Sequence, residues 1–357
     1  MNIIIRVDSS RAIGIGHLSR CLALAQQLRN MNFSVAFACR DFKDAWHQEV
    51  KRQKFDLFLL PQLSSSPNNW LGCSQEVDAS DFTNLILNVH PVDMVIVDHY
   101  AIDSTWEVIV RSKRRKLFCI DDLANRAHVC DAILDQSLSP NGERYDHLVP
   151  RDCTKLLGPK YALLSPAYPA KRLSLNLENR PVRKILVFFG GSDSANLTTQ
   201  AIEALNCQEF VGIEKYVVAG PLNKHLTQIM EDAKRLDPSF TIFPSVTSMP
   251  DLLADMDFAI AAGGVNSWER CCLGVPSLVA IVADNQKEST DALAAIGAVE
   301  YLGYANEIKP SDIHSKTLEI LANPPRLNEM RKKALAVVDG YGCIRAATSI
   351  NLLLSRI

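Results

Sequence analysis

The chain has 357 residues, of which 47% are hydrophobic and 22% charged, and its formal net charge is -2. This balance excludes an intrinsically disordered protein, and the weak charge argues against a nucleic-acid or membrane-surface partner. No run approaches the ~20 apolar residues of a membrane span, and the first residues lack a secretion signal. The ten cysteines contain no CxxC pair. We therefore expect a cytoplasmic protein with reduced thiols and no obligate protein partner.

Short apolar runs alternate with helical patterns along the chain. Such near-continuous runs are typical of parallel strands buried on both faces, so the alternation predicts an α/β fold. The helix after the first strand places Leu18, Leu22, Ala25 and Leu28 on one face. The predicted strands cover residues 2–7, 34–39, 94–98, 116–121, 183–190, 214–220, 240–244, 257–262 and 276–282.

A polar segment flanked by prolines interrupts this rhythm after residue 168. It predicts a linker over 169–182 that joins a domain of residues 1–168 to one of residues 183–340. Both domains are predicted to be Rossmann-like, because each begins with a strand, a glycine-rich turn and a helix. The last segment, 341–357, is predicted to be a helix that completes the first domain. Two such domains facing each other would form a cleft for a ligand.

The stretch GIGHLSR, which starts at residue 14, places a histidine where a strand gives way to a helix. His17 is predicted in the first helical turn, with Arg20 one turn further on. The positive helix end and the cationic neighbour both disfavour imidazolium, and a general base near pH 7 must be neutral. Asp98, His99 and Tyr100 end another strand of this domain and are expected to orient His17 or contact substrate. A histidine that only caps or packs at a tight turn is the alternative.

Two Gly-Gly turns follow strands of the second predicted domain. The first, GGSD from residue 190, precedes a helix that Ser192, Asp193 or Ser194 can cap. The second, in AAGGVNSWERC from residue 261, precedes a helix predicted to start near Asn266 or Ser267. Backbone N–H groups at helix starts bind phosphate, so the pair of turns favours a nucleotide diphosphate over plain tight turns. Glu269, predicted in the first turn of its helix, either binds a ribose diol or closes a capping box.

Five blocks of the sequence together resemble the UDP-sugar hydrolases of pseudaminic acid biosynthesis. They are RVDSSRAIGIGHLSRCLALA, VIVDHYAID, YALLSPAY, ILVFFGGSDSANLT and GGVNSWERCCLGVPSL. That family cleaves UDP-2,4-diacetamido-2,4,6-trideoxy-β-L-altropyranose to the free sugar and UDP, and it is similar to the MurG-type glycosyltransferases. The resemblance implies the GT-B fold, with two Rossmann-like domains and parallel sheets facing across a cleft.

The resemblance also implies roles for individual residues. His17 matches the general base, Glu269 the residue on the ribose, the backbone around Val246 the uracil site, and Asn285 a contact to the donor sugar. The other predicted contacts lie in the opening block, beside His17 and in the phosphate-facing turns. They are Asp8, Gly14, Ile15, Gly16, Arg20, Asp98, His99, Tyr100, Gly190, Gly191, Ser192, Gly264, Asn266 and Ser267.

The implied chemistry is consistent with these residues. UDP is a good leaving group, helix termini can stabilise its charge, and one neutral histidine can activate water on the opposite face of the sugar. Such a displacement inverts the anomeric centre and needs no metal or cofactor. A GT-B glycosyltransferase with a UDP-sugar donor and a non-catalytic UDP-sugar-binding protein are the two alternatives.

Overall fold

The computed structural model describes residues 1–62, 70–139, 141–175, 181–232, 235 and 237–355. The chain divides into two compact units. The first unit comprises Met1–Pro166 and Tyr341–Ile357, and the second comprises Ala167–Gly340. None of the described helices is both long and apolar enough to cross a membrane.

The first unit is a parallel sheet with helices in the connections. Its elements in chain order are β1 (Asn2–Val7), α1 (Gly16–Asn30), β2 (Ser34–Arg40), α2 (Gln48–Arg52), β3 (Asp56–Leu60), α3 (Gln75–Phe82), β4 (Met94–Asp98), α4 (Ser104–Val110), β5 (Lys116–Ile120), β6 (Ala132–Asp135) and β7 (Thr154–Leu157). Within the described residues, the strand order is β3-β2-β1-β4-β5-β6-β7. The order therefore reverses direction between β1 and β4.

The second unit repeats this plan. Its elements are α5 (Ala167–Leu173), β8 (Lys184–Phe188), α6 (Leu197–Leu205), β9 (Glu214–Val218), α7 (Leu226–Asp232), β10 (Phe240–Phe243), α8 (Met249–Ala254), β11 (Phe258–Ala262), α9 (Val265–Cys272), β12 (Ser277–Ile281), α10 (Lys287–Ala295), β13 (Glu300–Tyr304), α11 (Pro310–Leu321) and α12 (Pro324–Val337). The parallel strands of its described part run in the order β10-β9-β8-β11-β12-β13, so the reversal lies between β8 and β11. The last helix of the chain, α13 (Gly342–Leu354), belongs to the first unit.

The apolar face predicted for the first helix is confirmed. Leu18, Leu22, Ala25 and Leu28 of α1 are each at most 3% exposed. They lie in the core cluster that also contains β1 and β2 side chains. Ile350 of α13 lies in the same cluster, so this helix packs into the core formed by β1, β2 and α1.

The predicted strands are confirmed, although the structure shortens several of them by one to three residues. Four strands were missed: β3, β6, β7 and β13. Three of these are edge strands, and their side chains are largely half-buried or exposed. Polar residues or glycine interrupt the apolar runs of β7 and β13, whereas β3 has a continuous apolar run after Asp56 that was overlooked. The fourth, β6, is interior but only four residues long.

The predicted linker over 169–182 is wrong in its first part, because α5 occupies it. This helix packs against α8 and α9 of the second unit, with Tyr168 and Pro169 buried. Its charge misled the sequence interpretation: the Arg172 guanidinium donates to the carbonyls of Cys272, Leu335 and Val338 at 2.8–2.9 Å. A cation that satisfies the carbonyls at helix ends is a packed residue rather than a solvated one. Residues 176–180 of the predicted linker lie outside the described residues.

Candidate active site

His17 and Asp98 meet at the point where the strand order of the first sheet reverses. His17 is the second residue of α1, which follows β1, and Asp98 is the last residue of β4. These two strands are parallel neighbours, so their carboxyl ends lie side by side. Ligands of open α/β sheets bind at such reversals, outside the carboxyl ends of the strands. The sheet therefore brings together two residues that are 81 positions apart.

A hydrogen bond fixes the orientation of the His17 ring. Its Nδ1 lies 2.6 Å from Asp98 Oδ1, and the ring is almost completely buried. An ionised carboxylate accepts only, so Nδ1 carries the proton and the neutral ring keeps a lone pair on Nε2. A histidine held in this tautomer by a buried carboxylate is arranged as a general base.

Arg20 acts on this pair through Asp98. Its Nε and Nη2 donate to the two Asp98 oxygens at 2.7 and 2.6 Å, and Cys21 Sγ lies 3.3 Å from Asp98 Oδ2. Burial alone would raise the pKa of the Asp98 carboxyl, but Arg20 and His17 hold it well below its usual range. The sequence interpretation gave Arg20 a direct effect on the imidazole. The structure adds that Arg20 balances the carboxylate that faces the ring.

Tyr100 packs against the His17 imidazole, and two residues that were not predicted, Trp70 and Asp122, contact Tyr100. The Tyr100 ring meets His17 edge-on at 4.4 Å between centroids, and Trp70 stacks on Tyr100 at 5.3 Å. Asp122 accepts hydrogen bonds from Tyr100 and Arg20. A signal for Asp122 existed, because it follows a predicted strand at the same sheet edge. Trp70 lies in a connection where no pattern marked it.

Asp8 and His99 were predicted to contact substrate, and the structure does not bring their side chains into the His17 cluster. The Asp8 carboxylate is fully buried against Arg6, at 2.6 and 2.8 Å, and accepts the Arg40 amide at 2.7 Å. His99 Nε2 lies 3.2 Å from Asp8, and its Nδ1 accepts the Ala101 amide. These contacts lie within the fold, and the substrate contacts predicted for the two residues stay predictions.

One glycine of the opening loop, Gly14, has open space where a side chain would lie. Gly14 has a φ of +81°, which favours glycine, and no described atom lies within 4 Å of where its Cβ would be. Its amide donates to the Ser10 carbonyl at 2.8 Å, which closes the loop. Ile15 is the N-cap of α1, and Gly16 is its first residue.

In the second unit, the turn after β8 contains Gly190, Gly191 and Ser192. Asp193 caps α6, as predicted for one of the residues in this turn: its two oxygens accept the Leu197 and Thr198 amides at 2.9 Å. These two amides of α6 are therefore satisfied within the fold. The phosphate contacts predicted for Gly190, Gly191 and Ser192 stay predictions.

The second Gly-Gly turn follows β11, the parallel neighbour of β8. It leads into α9, which begins at Val265, one residue before the predicted start. Asn266 and Ser267 therefore lie in the first turn of α9, and Gly264 is its N-cap. Asn266 Oδ1 accepts from Arg270, whose guanidinium also donates to the Ala262 carbonyl at 3.0 Å. The two glycine turns occupy the reversal of the second sheet, as His17 does in the first.

Glu269 lies in the second turn of α9, one turn later than predicted, so the capping-box alternative is wrong. Its carboxylate accepts from the Asn266 amide and the Tyr168 hydroxyl. Burial raises the pKa of this carboxyl, and both donors oppose that shift. The contact with Tyr168, on α5, could not be read from the spacing of α9.

Val246 and Asn285 both lie beyond the carboxyl ends of strands of the second sheet, as the glycine turns do. Val246 is in the connection between β10 and α8, and Asn285 is in a short turn after β12. The neighbouring Gln286, which was not predicted, packs on the second glycine turn: its Nε2 would lie 3.3 Å from a Cβ at Gly264.

Two other groups of side chains in the described structure could hold a metal ion. They are Glu107, Cys119 and His128 in the first unit, and Cys207, Glu209 and His314 in the second. Neither group includes His17 or the glycine turns.

Comparisons with known proteins agree with this architecture. Residues 185–341 match the model of the glycosyltransferase family 28 C-terminal domain. The crystal structure of MurG from Acinetobacter baumannii superposes with a TM-score of 0.65 at 16% identity, over 100% of this chain and 99% of that one. The chain has the GT-B fold. All but the last residue of the family match lies in the second unit, where the two glycine turns are found.

Two curated relatives extend over most of the GT-B chain. An uncharacterized protein of Methanocaldococcus jannaschii is 26% identical over 88% of this chain and 63% of its own length. The UDP-2,4-diacetamido-2,4,6-trideoxy-β-L-altropyranose hydrolase of Campylobacter jejuni is 25% identical over 84% of this chain and 99% of its own length. The chain thus spans less than two thirds of the first relative and nearly all of the second.

Proposed function

We propose that this protein is a UDP-sugar hydrolase in which His17 activates water. The observation that carries the proposal is the 2.6 Å contact between His17 Nδ1 and the buried Asp98, which leaves Nε2 as the acceptor. Nε2 takes a proton from water as the water oxygen attacks the anomeric carbon. The bond between that carbon and the diphosphate oxygen breaks, and UDP leaves with the electron pair, so the anomeric centre inverts.

The second unit supplies the UDP site in this proposal. The backbones of Gly190–Ser192 and of the turn before α9 bind the diphosphate, Glu269 binds the ribose, and the loop of Val246 binds uracil. The two glycine turns lie on neighbouring parallel strands at the reversal of the sheet, which supports this assignment. Asn285 contacts the sugar in this proposal.

The proposed substrate is UDP-2,4-diacetamido-2,4,6-trideoxy-β-L-altropyranose, in a cytoplasmic pathway to pseudaminic acid. The similarity to the Campylobacter jejuni hydrolase of that name, over 99% of its length, supports this choice. No metal takes part in the proposed reaction. A GT-B glycosyltransferase is the second candidate, favoured by the family 28 match and the likeness to MurG.

One assay separates the candidates. Purified protein is incubated with the UDP-sugar, once alone and once with an acceptor, and UDP release is followed. Release without an acceptor supports the hydrolase, and release only with an acceptor supports the transferase. Binding without turnover supports a non-catalytic binding protein. The anomeric configuration of fresh product, read by proton NMR, tests for inversion.

His17→Gln tests the general base. We expect kcat to fall by about 10² to 10⁴, the usual contribution of such a base. His147→Gln is the matched control, since His147 is an exposed histidine of the same unit. Full turnover by His17→Gln would remove His17 from the mechanism.

A further inference from the structure

Asp122 is an acidic residue next to the candidate site that the proposed reaction leaves without a role. It lies just beyond the end of β5, the strand that pairs with β4 on the side away from β1. Its side chain is only 18% exposed. One oxygen accepts from Arg20 Nη1 at 2.7 Å, and the other accepts from the Tyr100 hydroxyl at 2.5 Å.

These two contacts complete a closed cycle of interactions, which we call the ring of interactions, and His17 is one of its members. Arg20 bridges Asp122 and Asp98, and Asp98 holds His17 Nδ1. Tyr100 links Asp122 back to His17, because its ring packs edge-on against the imidazole at an angle of 83°. Asp122 therefore contacts Arg20, which pairs with Asp98, and Tyr100, which packs against the imidazole.

The Tyr100 hydroxyl is committed to this ring as a donor. Burial raises the pKa of the phenol, and the Asp122 carboxylate raises it further. The hydroxyl therefore keeps its proton, which it gives to Asp122. Tyr100 thus contributes the fixed placement of its aromatic ring against the His17 imidazole.

We propose that Asp122 is the positioning residue of the site, which holds Tyr100 against His17 and divides the charge of Arg20 between two carboxylates. This role rests on the proposed function of His17. Without the Asp122 charge, Arg20 would pair with Asp98 alone and would offset more of the negative charge beside His17 Nδ1. Imidazolium would then be less stabilised. The groups that face His17 in the described structure are Asp98, Arg20, Tyr100 and Trp70, and Cys21 contacts Asp98.

Asp122→Asn, with Asp122→Glu beside it, tests the proposal by kinetics. In Asp122→Asn we expect kcat to fall by about 10- to 100-fold, as for a misplaced catalytic group, while KM changes by less than about 3-fold. The acid limb of the pH profile of kcat should move to lower pH, and Asp122→Glu should recover part of the rate. Asp81→Asn is the matched control, because Asp81 pairs with the buried Arg40 at 2.9 Å and its side chain is 26% exposed. An Asp122→Asn variant with the kcat and pH profile of the unaltered protein would overturn the proposal.

A second measurement does not depend on turnover. The ring nitrogens of His17 are followed by ¹⁵N NMR across a pH series, with the signals assigned by their loss in His17→Gln. We expect the His17 titration midpoint to be lower in Asp122→Asn than in Asp81→Asn and the unaltered protein. Equal midpoints in all three would overturn the proposal. A protein that releases no UDP would contradict the proposed function, and the NMR comparison would still decide the role of Asp122.

Discussion

At the scale of single residues, buried carboxylates of the first unit differ according to their partners. Asp98 and Asp8 each accept two hydrogen bonds of 2.6–2.8 Å from an arginine, and the pKa of each carboxyl lies below its usual range. Asp135, at the end of β6, is 2% exposed, and its nearest cation, Arg144, is 3.3 Å away. Burial, only partly offset by Arg144, raises the pKa of Asp135 to about 6. The sheet edge thus contains both a stabilised and a destabilised carboxylate.

Asp135→Asn is therefore expected to stabilise the protein at pH 7.5. The pKa is higher in the folded than in the unfolded state, so the cost of the buried anion is fully present above pH ~6 and disappears as the pH falls toward 4. We expect a gain of about 2 kcal/mol in the free energy of unfolding at pH 7.5, shrinking toward pH 4.5. Urea denaturation at both pH values measures it, with Asp152→Asn, at an exposed position, as the control. A variant less stable than the parent at pH 7.5 would contradict this expectation.

At the scale of elements, the glycine turns depend on backbone packing between neighbouring connections. A Cβ at Gly220, which follows β9, would lie 2.6 Å from the carbonyl oxygens of both Gly190 and Gly191. The Leu222 amide also donates to the Gly191 carbonyl at 2.9 Å. The shape of the turn after β8 is therefore set by the turn after β9.

Gly220→Ala should cost about 3 kcal/mol or more in the free energy of unfolding, because the φ of +89° is strained for alanine and the turns must separate. UDP binding, followed by calorimetry, should weaken as well. Gly212→Ala is the matched control: its φ is +85°, but no described atom lies within 4 Å of the added Cβ, so about 1 kcal/mol is expected. Equal losses in the two variants would show that the contact between the turns is unimportant.

At the scale of the whole molecule, the ends of the chain share one core. Residues of α13 lie in the cluster formed by β1, β2 and α1, although more than 300 residues separate α1 from α13. The second unit has its own cluster of buried residues. The stability of the first unit thus depends on a helix that follows the whole second unit in the sequence.

Ile350→Ala is expected to destabilise the first unit by about 2–5 kcal/mol, since Ile350 is completely buried in this cluster. Leu352→Ala, on the same helix at 54% exposure, should change stability by less than about 0.5 kcal/mol. Hydrogen exchange of the α1 amides reports the first unit, and exchange of β8 and β11 reports the second. Loss of protection in both units alike would show that they do not unfold separately.

The sequence by itself determined the first helix, the interior strands other than β6, and the positions where chemistry was expected. Apolar runs, the face of Leu18 and Leu22, and glycines after strands are local patterns, and each follows from the conformation of a few consecutive residues. His17 could be placed in the first turn of α1 for the same reason. The edge strands β7 and β13 were missed because polar residues or glycine interrupt their apolar runs, whereas the apolar run of β3 was overlooked.

Tertiary structure alone decided which of these residues meet. Strand order places Asp98 and Asp122 beside His17 and Arg20, and packing of α5 brings Tyr168 to Glu269. The same packing makes part of the predicted linker a helix, and the Asp193 carboxylate accepts the first amides of α6. These contacts join residues on different elements. They depend on which strands are neighbours in the sheet, and no local sequence pattern contains that information.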